Sequence, residues 1–371
     1  MFLIVTRSFP PELGGMQILM AGLSESLSNY GAVKVFAYEY ENSKNYDNKS
    51  SLSIERIKGI KLFRKFRKSH LVNNFIDKNI GIKAIITDHW KSLEVIKDEN
   101  LKKNKIFCLI HSKEINHQMG SLLNKRMLRS INKANFIIAN SNFTKKLATK
   151  VGIDSSKINV IFPGIDKPSA IQNYSKIKAE KIFGDSFPKI ITVARLDKRK
   201  GHDKVLMLIK NLKIKFPKIK YISIGYGKEE NNLKKLSNEL SLDKEVIFLK
   251  NIDNSLKLSL ISESNLFLMP SRIEKNSVEG FGISFVEAAS YGVGSIGGVD
   301  GGASDAIFDG KTGLLCDVGD VKQFSGAIDL MISNEGLRRG MSQEALRISR
   351  DEHSIERAAE IIDNAIGNVI Q

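Results

Sequence analysis

The sequence predicts an α/β chain of two doubly wound domains, and three observations predict it. Its 371 residues exceed one ordinary core and suit about two domains. Short runs rich in Ile, Val and Phe alternate with longer helical patterns, the mark of βαβ units and parallel sheets. A turn-rich break, P-G-I-D-K-P-S-A from Pro163 to Ala170, is followed by the same alternation beginning again.

In the first half, strands are expected near Phe2–Thr6, Val33–Tyr38, Ala84–Thr87, Ile106–Ile110, Phe136–Ala139 and Val160–Phe162. A helix near Gln17–Asn29 follows the first of them. In the second half the expected strands are Ile190–Val193, Tyr221–Ile224, Val246–Leu249 and Leu266–Met269, with helices near Lys204–Phe216 and Asn231–Leu240. The expected domains are residues 1–168 and 169–371, with the last helix, about 352–371, a candidate to cross back to the first. Ligands of doubly wound sheets bind outside the carboxyl ends of the strands, so a central cleft faced by both domains is the expected site.

Apolar content of 42% and charged content of 26% belong to a globular chain and exclude disorder as the default. Two cysteines far apart, Cys108 and Cys316, provide neither a disulfide framework nor metal-ligand spacing, and a reducing cytoplasm is the natural home. No stretch approaches the roughly 20 apolar residues of a membrane-spanning helix. The start, M-F-L-I-V-T-R-S-F-P-P, lacks a basic leader and reads as a buried first strand. The net charge of +16 is uneven: residues 1–170 hold 28 Lys/Arg against 14 Asp/Glu, and the remainder 29 against 27. Nucleic acid, an anionic membrane surface or an acidic substrate would each suit the basic first half.

Glu279 and Glu287, in E-G-F-G-I-S-F-V-E, flank Gly280 and Gly282 and lead into an apolar segment. The spacing fits a glycine loop entering a helix, whose free N–H groups face an anion while the carboxylates reach hydroxyls around it. Two acids also suit general acid and base work, or a helix dipole. A phosphate needs cations, and Arg195 and Lys200, spaced R-x4-K after the strand Ile190–Val193, are placed to clamp one. Gly14 and Gly15, between the first strand and the first helix, allow close approach of a phosphate to a helix N-terminus, or serve a turn that needs positive φ. In I-H-S-K-E, His111 can hydrogen-bond at a reacting centre and Glu114 can orient it, although a lone strand-end histidine is more often structural. In the I-G-Y-G-K-E-E loop, Glu230 at the third glycine position excludes a nicotinamide fingerprint, and the loop with Gly225 can still approach a nucleotide. Finally, R-I-K-G-I-K-L-F-R-K-F-R-K from Arg56 to Lys68 carries seven basic residues, no acidic one, and interleaved Ile, Leu and Phe. It suits an anionic lipid surface, with Lys61, Arg64, Lys65, Arg67 and Lys68 as contacts, or an edge strand with solvated lysines.

Together these motifs resemble the retaining glycosyltransferases of family 4, group 1, with the GT-B fold of two Rossmann-like domains. The likeness runs through F-P-P-E-L-G-G-M-Q, I-H-S-K-E, S-N-F-T-K-K at Ser141–Lys146, V-I-F-P-G-I-D at Val160–Asp166, R-x4-K, E-x7-E and the segment Gly297–Leu315. The resemblance implies an acceptor-binding first domain and a donor-binding second domain. Arg195 and Lys200 would grip the donor diphosphate, Glu287 the ribose, and Glu279 the sugar hydroxyls beside the backbone of Phe281, Gly282 and Ile283. Gly14 and Gly15 would lie under the phosphates, His111 would approach the anomeric carbon, and Glu114 would face the acceptor. Such enzymes need no metal or other cofactor, in keeping with the missing Asp-x-Asp motif.

The F-P-P-x-x-G-G start and the long loop from Pro270 to Glu279 are most similar to phosphatidylinositol mannoside-type mannosyltransferases, favouring GDP-mannose over UDP-sugars. Gly294, where a proline is usual, and Asp305, where a glutamate is common, depart from the family. The expectation is a hexosyltransferase, cytoplasmic and peripheral to the inner face of the cell membrane, acting on a lipid-linked or glycan acceptor of cell-surface glycoconjugates. The competing readings are a soluble GT-B glucan synthase or sugar epimerase, and a basic nucleic-acid-binding protein. No nucleic-acid motif supports the last, and aromatic content is only 8%.

Overall fold

The computed structural model of the protein describes residues 1–12, 14–275 and 277–368. The end of the expected last helix, residues 369–371, therefore lies outside the described residues. The chain divides into two compact units, one of Met1–Asp166 with the residues from His353 on, the other of Lys167–Glu352. Both are parallel α/β sheets of the doubly wound class.

The first unit contains β1 (Phe2–Val5), β2 (Val33–Tyr38), β3 (Ser53–Ile57), β4 (Ala84–Thr87), β5 (Ile106–Ile110), β6 (Phe136–Ala139) and β7 (Ile158–Val160). Their spatial order is β3-β2-β1-β4-β5-β6-β7, with every neighbouring pair parallel. β1 is central, pairing Phe2 with Val33 on one side and with Ala84 on the other. All four of its residues are buried, which is why the segment is apolar without alternation. The pleat still separates them. Leu3 and Val5 join Trp90, Met127 and Ile137 in one core, while Phe2 and Ile4 join Leu19, Met20 and Leu23 of the Gly15–Leu27 helix in the other.

That second core also takes Ile355, Ala358, Ala359, Ile362 and Ile366 from the Ile355–Asn368 helix. The junction is fastened by backbone hydrogen bonds from Ile165 N–H to His353 O, 2.9 Å, and from Ile355 N–H to Ile165 O, 3.1 Å. Gly164 makes this approach feasible, since a Cβ there would lie 2.2 Å from the backbone of Ser354 and Ile355.

The second unit contains β8 (Lys189–Val193), β9 (Lys220–Ile224), β10 (Val246–Leu249), β11 (Leu266–Met269), β12 (Ser295–Gly298) and β13 (Gly313–Cys316), in the parallel order β10-β9-β8-β11-β12-β13. In each sheet the order reverses once, between β1 and β4 and between β8 and β11. Chain segments leaving those strands diverge to opposite faces and leave a crevice at the carboxyl ends, where ligands of such sheets bind.

Four strands differ from expectation. β7 begins two residues earlier than expected, at Ile158. β3, β12 and β13 were not expected: β3 runs into the start of the basic stretch, and β12 and β13 overlap the two ends of the Gly297–Leu315 segment, where glycines mask a strand pattern.

Candidate functional site

In the second unit, the segments leaving β8 and β11 carry the charges singled out in the sequence. After β8 the chain runs through Arg195 into a single 3-10 turn at Lys198–Lys200, ended by Gly201 in the left-handed region at φ 76°. A Cβ at Gly201 would lie 2.1 Å from the Pro270 carbonyl oxygen, so glycine lets the two crevice segments touch. This brings the Lys200 ammonium onto Glu279, where it also reaches Met269 Sδ at 3.4 Å. The Arg199 guanidinium joins from the same turn, its Nη1 2.7 Å from Glu279.

Both cations bind Oε2 of Glu279, leaving Oε1 without a protein partner among the described residues. Lys200 and Glu279 are each only 9% exposed. Burial alone would push the Glu279 carboxyl up, but Lys200 and Arg199 outweigh it and hold the group at about 2. Burial lowers the Lys200 ammonium despite the opposing pull of Glu279. The arrangement is an ionised acceptor oxygen held rigidly between two cations, able to accept a hydroxyl while the cations face an anion.

Arg195 stays 57% exposed at its side chain and pairs only loosely with Asp197, at 3.5 Å. Its loop rests against the G-Y-G turn after β9: a Cβ at Gly225 would lie 1.9 Å from Ala194 O, and one at Gly227 would lie 2.4 Å from Leu196 O. Gly225 thus positions the Arg195 loop through close backbone packing. Past Glu279, Phe281 is buried and Gly282 adopts φ 93°, capping the Ile283–Ser290 helix. Any side chain at 282 would strike Phe285, with Cδ2 2.5 Å away. Glu287 lies in the second turn of that helix, its Oε1 2.6 Å from Lys257 Nζ.

In the first unit, Gly15 opens the first helix and Gly14 is its N-cap, without a side-chain cap hydrogen bond. Gly14 is extended, at φ 161°, so the turn has no need of a left-handed residue there. The first amides of this helix remain available to an anion. His111 caps the Ser112–Ile115 turn, and its N–H donates to the Glu114 carboxylate. Burial outweighs the pull of Asp88 and pushes the His111 imidazole down to about 4, so it is neutral at pH 7. Its Nε2 has no partner and, with Asn140 and Leu109, it lines a small cavity. Burial pushes the Glu114 carboxyl up to about 8. Glu114 is therefore an internal cap, and the acceptor-contact role expected of it has to contend with a carboxyl already engaged by the backbone.

The basic stretch is neither one strand nor one helix. Arg56 lies in β3, bound through its guanidinium to Asp47 and to the Pro10 carbonyl at 2.6 Å. A turn at Lys61–Phe63 then leads into the Arg64–Lys78 helix. Ile60, Leu62, Phe63 and Phe66 are exposed among Lys61, Arg64, Lys65 and Arg67. Lys68 is the exception and corrects the expectation of a membrane contact: it is fully buried, with Nζ donating to Thr6 O at 2.6 Å.

Sequence reasoning missed Arg199, hidden in the run K-R-K, because only the 3-10 turn brings it and Lys200 to one oxygen. It also missed the Arg272–Asp203 pair, bidentate at 2.8 and 3.0 Å, which ties the segment after β11 to the helix following Lys200. Lys257, the partner of Glu287, carried no signal at all.

Comparison with known proteins adds the following. The family described as "Glycosyltransferase Family 4" matches residues 13–167, and "Glycosyl transferases group 1" matches residues 173–347. The GDP-mannose-dependent alpha-(1-6)-phosphatidylinositol monomannoside mannosyltransferase of Mycolicibacterium smegmatis is 23% identical over 348 residues, covering 90% of this chain and 89% of that one. The O-antigen biosynthesis glycosyltransferase WclY of Escherichia coli is 30% identical over 221 residues, 59% of this chain and 58% of that one. Among solved structures, Anabaena Alr3699/HepE in complex with UDP superposes with a TM-score of 0.82 at 17% identity, covering 99% of both chains. A further structure of that protein contains UDP-glucose. These likenesses establish the GT-B fold.

Proposed function

Because the chain belongs to the glycosyltransferases, joining a family 4 domain to a group 1 domain, we propose that it is a retaining mannosyltransferase with a lipid-linked or glycan acceptor. The enzyme transfers a sugar from a nucleotide sugar. In the proposed chemistry the acceptor oxygen bonds to the anomeric carbon on the face from which the diphosphate leaves, and the hydroxyl proton goes to the departing phosphate oxygen. The observation that carries this reading is the Lys200–Glu279–Arg199 cluster at the crevice of the second sheet. Lys200 and Arg195 stabilise the charge growing on the leaving diphosphate, the kind of electrostatic help that dominates such displacements. Glu279 accepts a sugar hydroxyl through Oε1, and Glu287 accepts from the ribose. Within the first unit, Gly14 and Gly15 offer helix amides to an anion, and neutral His111 has an unpaired Nε2. The reaction as drawn takes no step through a metal.

GDP-mannose is favoured because the relatives similar over nine-tenths of the chain are named for it. A UDP-hexose is the second reading, favoured by the UDP and UDP-glucose complexes of the structural neighbour. Thermal stabilisation by GDP, UDP and ADP separates them, since a ligand bound only by the folded chain raises the melting point by mass action. A shift with GDP alone supports mannose from GDP-mannose, whereas a shift with UDP alone overturns it.

Among the described residues no helix is long and apolar enough to cross a membrane. We place the enzyme at the inner face of the cell membrane through the exposed Ile60, Leu62, Phe63 and Phe66, whose neighbours Lys61, Arg64, Lys65 and Arg67 complement anionic headgroups.

A further inference from the structure

We propose that the crevice where the first sheet reverses, at the carboxyl ends of β1 and β4, is an anion subsite in which Arg7 and Lys91 bind a phosphate ester carried by the acceptor. The proposal rests on the glycosyltransferase reading for the word acceptor, and on the geometry for the site. Thr6, Arg7 and Ser8 leave β1, and Asp88, His89, Trp90 and Lys91 leave β4 beside them. Asp88 knits the two segments together: its Oδ2 accepts from Thr6 Oγ1 at 2.9 Å, Arg7 N–H at 2.8 Å and Ser8 N–H at 3.1 Å, and its Oδ1 from Ser92 Oγ at 2.8 Å. That carboxylate is consumed by four donors. The buried Lys68 ammonium lies behind the same segment, on Thr6 O.

Charge is therefore left over at the front. Lys91 Nζ stands 5.1 Å from the centre of the Trp90 ring, without a carboxylate partner, and the Arg7 guanidinium has no hydrogen bond or ion pair among the described residues. Nearby cations are not left so: Lys65 and Arg126 share Glu94 at 2.9 and 2.7 Å. His117 meets the Trp90 ring edge-on at 6.3 Å, and its Nε2 is buried without a partner. Burial, and then the repulsion of Arg7 and Arg126, lower the Lys91 ammonium despite the opposing pull of Glu94. A phosphate fits this deficit, because its oxygens meet the planar guanidinium fork and the ammonium point charge at once.

The test uses the full chain saturated with GDP or UDP, whichever stabilises it, so that the nucleotide site is filled. Titration with sn-glycerol 3-phosphate should then give saturable binding, weakened roughly tenfold to hundredfold in each of Arg7→Gln and Lys91→Gln, as for loss of a charged hydrogen bond. Nucleotide affinity should match the parent chain, since both side chains belong to the first unit, and the melting point should fall little, since Lys91 gives up no more than its contact with the Trp90 ring. Absence of saturable binding, or equal binding by parent and variants, overturns the subsite. Failure of either nucleotide to bind would instead count against the glycosyltransferase reading, and the glycerol phosphate titration would still decide the subsite. A parallel arm compares phosphatidylcholine vesicles with and without phosphatidylglycerol. Weaker binding of the variants to the anionic vesicles supports the subsite with a lipid headgroup as its source. Unchanged vesicle binding beside lost glycerol phosphate binding supports it with a soluble phosphate.

Discussion

Arg199 and Glu279 form an ion pair 2.7 Å long on the segments leaving the central strands of the second sheet, and Lys200 closes on the same carboxylate oxygen from the same turn. One carboxylate thus bridges two neighbouring cations that would otherwise repel each other, and the cluster keeps a net charge of +1.

Replacing Glu279 is therefore a structural as well as a catalytic change. Glu279→Ala leaves two buried cations unpaired and is expected to cost about 3–5 kcal/mol of stability, the range for breaking one side of a buried pair. Chemical denaturation of the variant measures it. Glu279→Gln keeps the hydrogen-bonding shape, and a melting point closer to the parent is expected, with transfer reduced at least a hundredfold.

The same carboxylate predicts an acid limb. Its folded-state value of about 2 lies below the ordinary 4.5, so its contribution is present above pH 4.5 and is lost as the pH falls from there towards 2. The gap corresponds to about 3 kcal/mol as an upper figure. The stability difference between the parent chain and Glu279→Gln should shrink across that window. A difference constant from pH 6 to pH 3 would refute the pairing.

Glu287 is held by Lys257 rather than by the cluster, and its proposed partner is the ribose. Glu287→Ala should raise the KM for the donor by about tenfold to hundredfold, as for a lost charged hydrogen bond, with a smaller change in kcat. Steady-state kinetics against donor concentration reads the two apart.

The exposed apolar residues beside the first unit's basic turn predict a separable phenotype. Leu62→Ser with Phe66→Ser should abolish co-sedimentation with anionic vesicles while leaving the affinity for nucleotide unchanged. Lys68 must be left alone in such experiments, because its ammonium holds the Thr6 carbonyl inside the fold.

Gly164 is predicted to be intolerant for a backbone reason. In Gly164→Ala the new methyl would meet Ser354 and Ile355 at 2.2 Å. Parting those segments should lower stability by about 1–3 kcal/mol or more, the usual cost of overpacking. Limited proteolysis near residue 353 would detect the loosened helix.

The central strands were legible because burial on both faces demands unbroken Val, Ile and Phe, as in Phe2–Val5 and Ala84–Thr87. β12, S-I-G-G, escaped for the opposite reason. Gly298 is there because a Cβ would lie 1.9 Å from Ser271 O, and tight sheet packing of this kind looks like a loop in sequence. At the candidate site, the R-x4-K and E-x7-E spacings singled out Lys200, Glu279 and Glu287, and the fold brings the first two into contact. Arg199, Lys257 and Asp203 were not, since their roles come from partners 80, 30 and 69 residues away. Lys68 shows the converse error, where a charge run conceals one buried, bonded member.

The most direct test is calorimetric titration of GDP-mannose into the parent chain and into Lys200→Met, a variant in which Glu279 keeps Arg199 and the fold should persist. Saturable binding by the parent chain, weakened about a hundredfold in the variant, is the predicted result. Equal affinities in two equally folded proteins would contradict the assignment of the Lys200–Glu279 cluster as the donor diphosphate site.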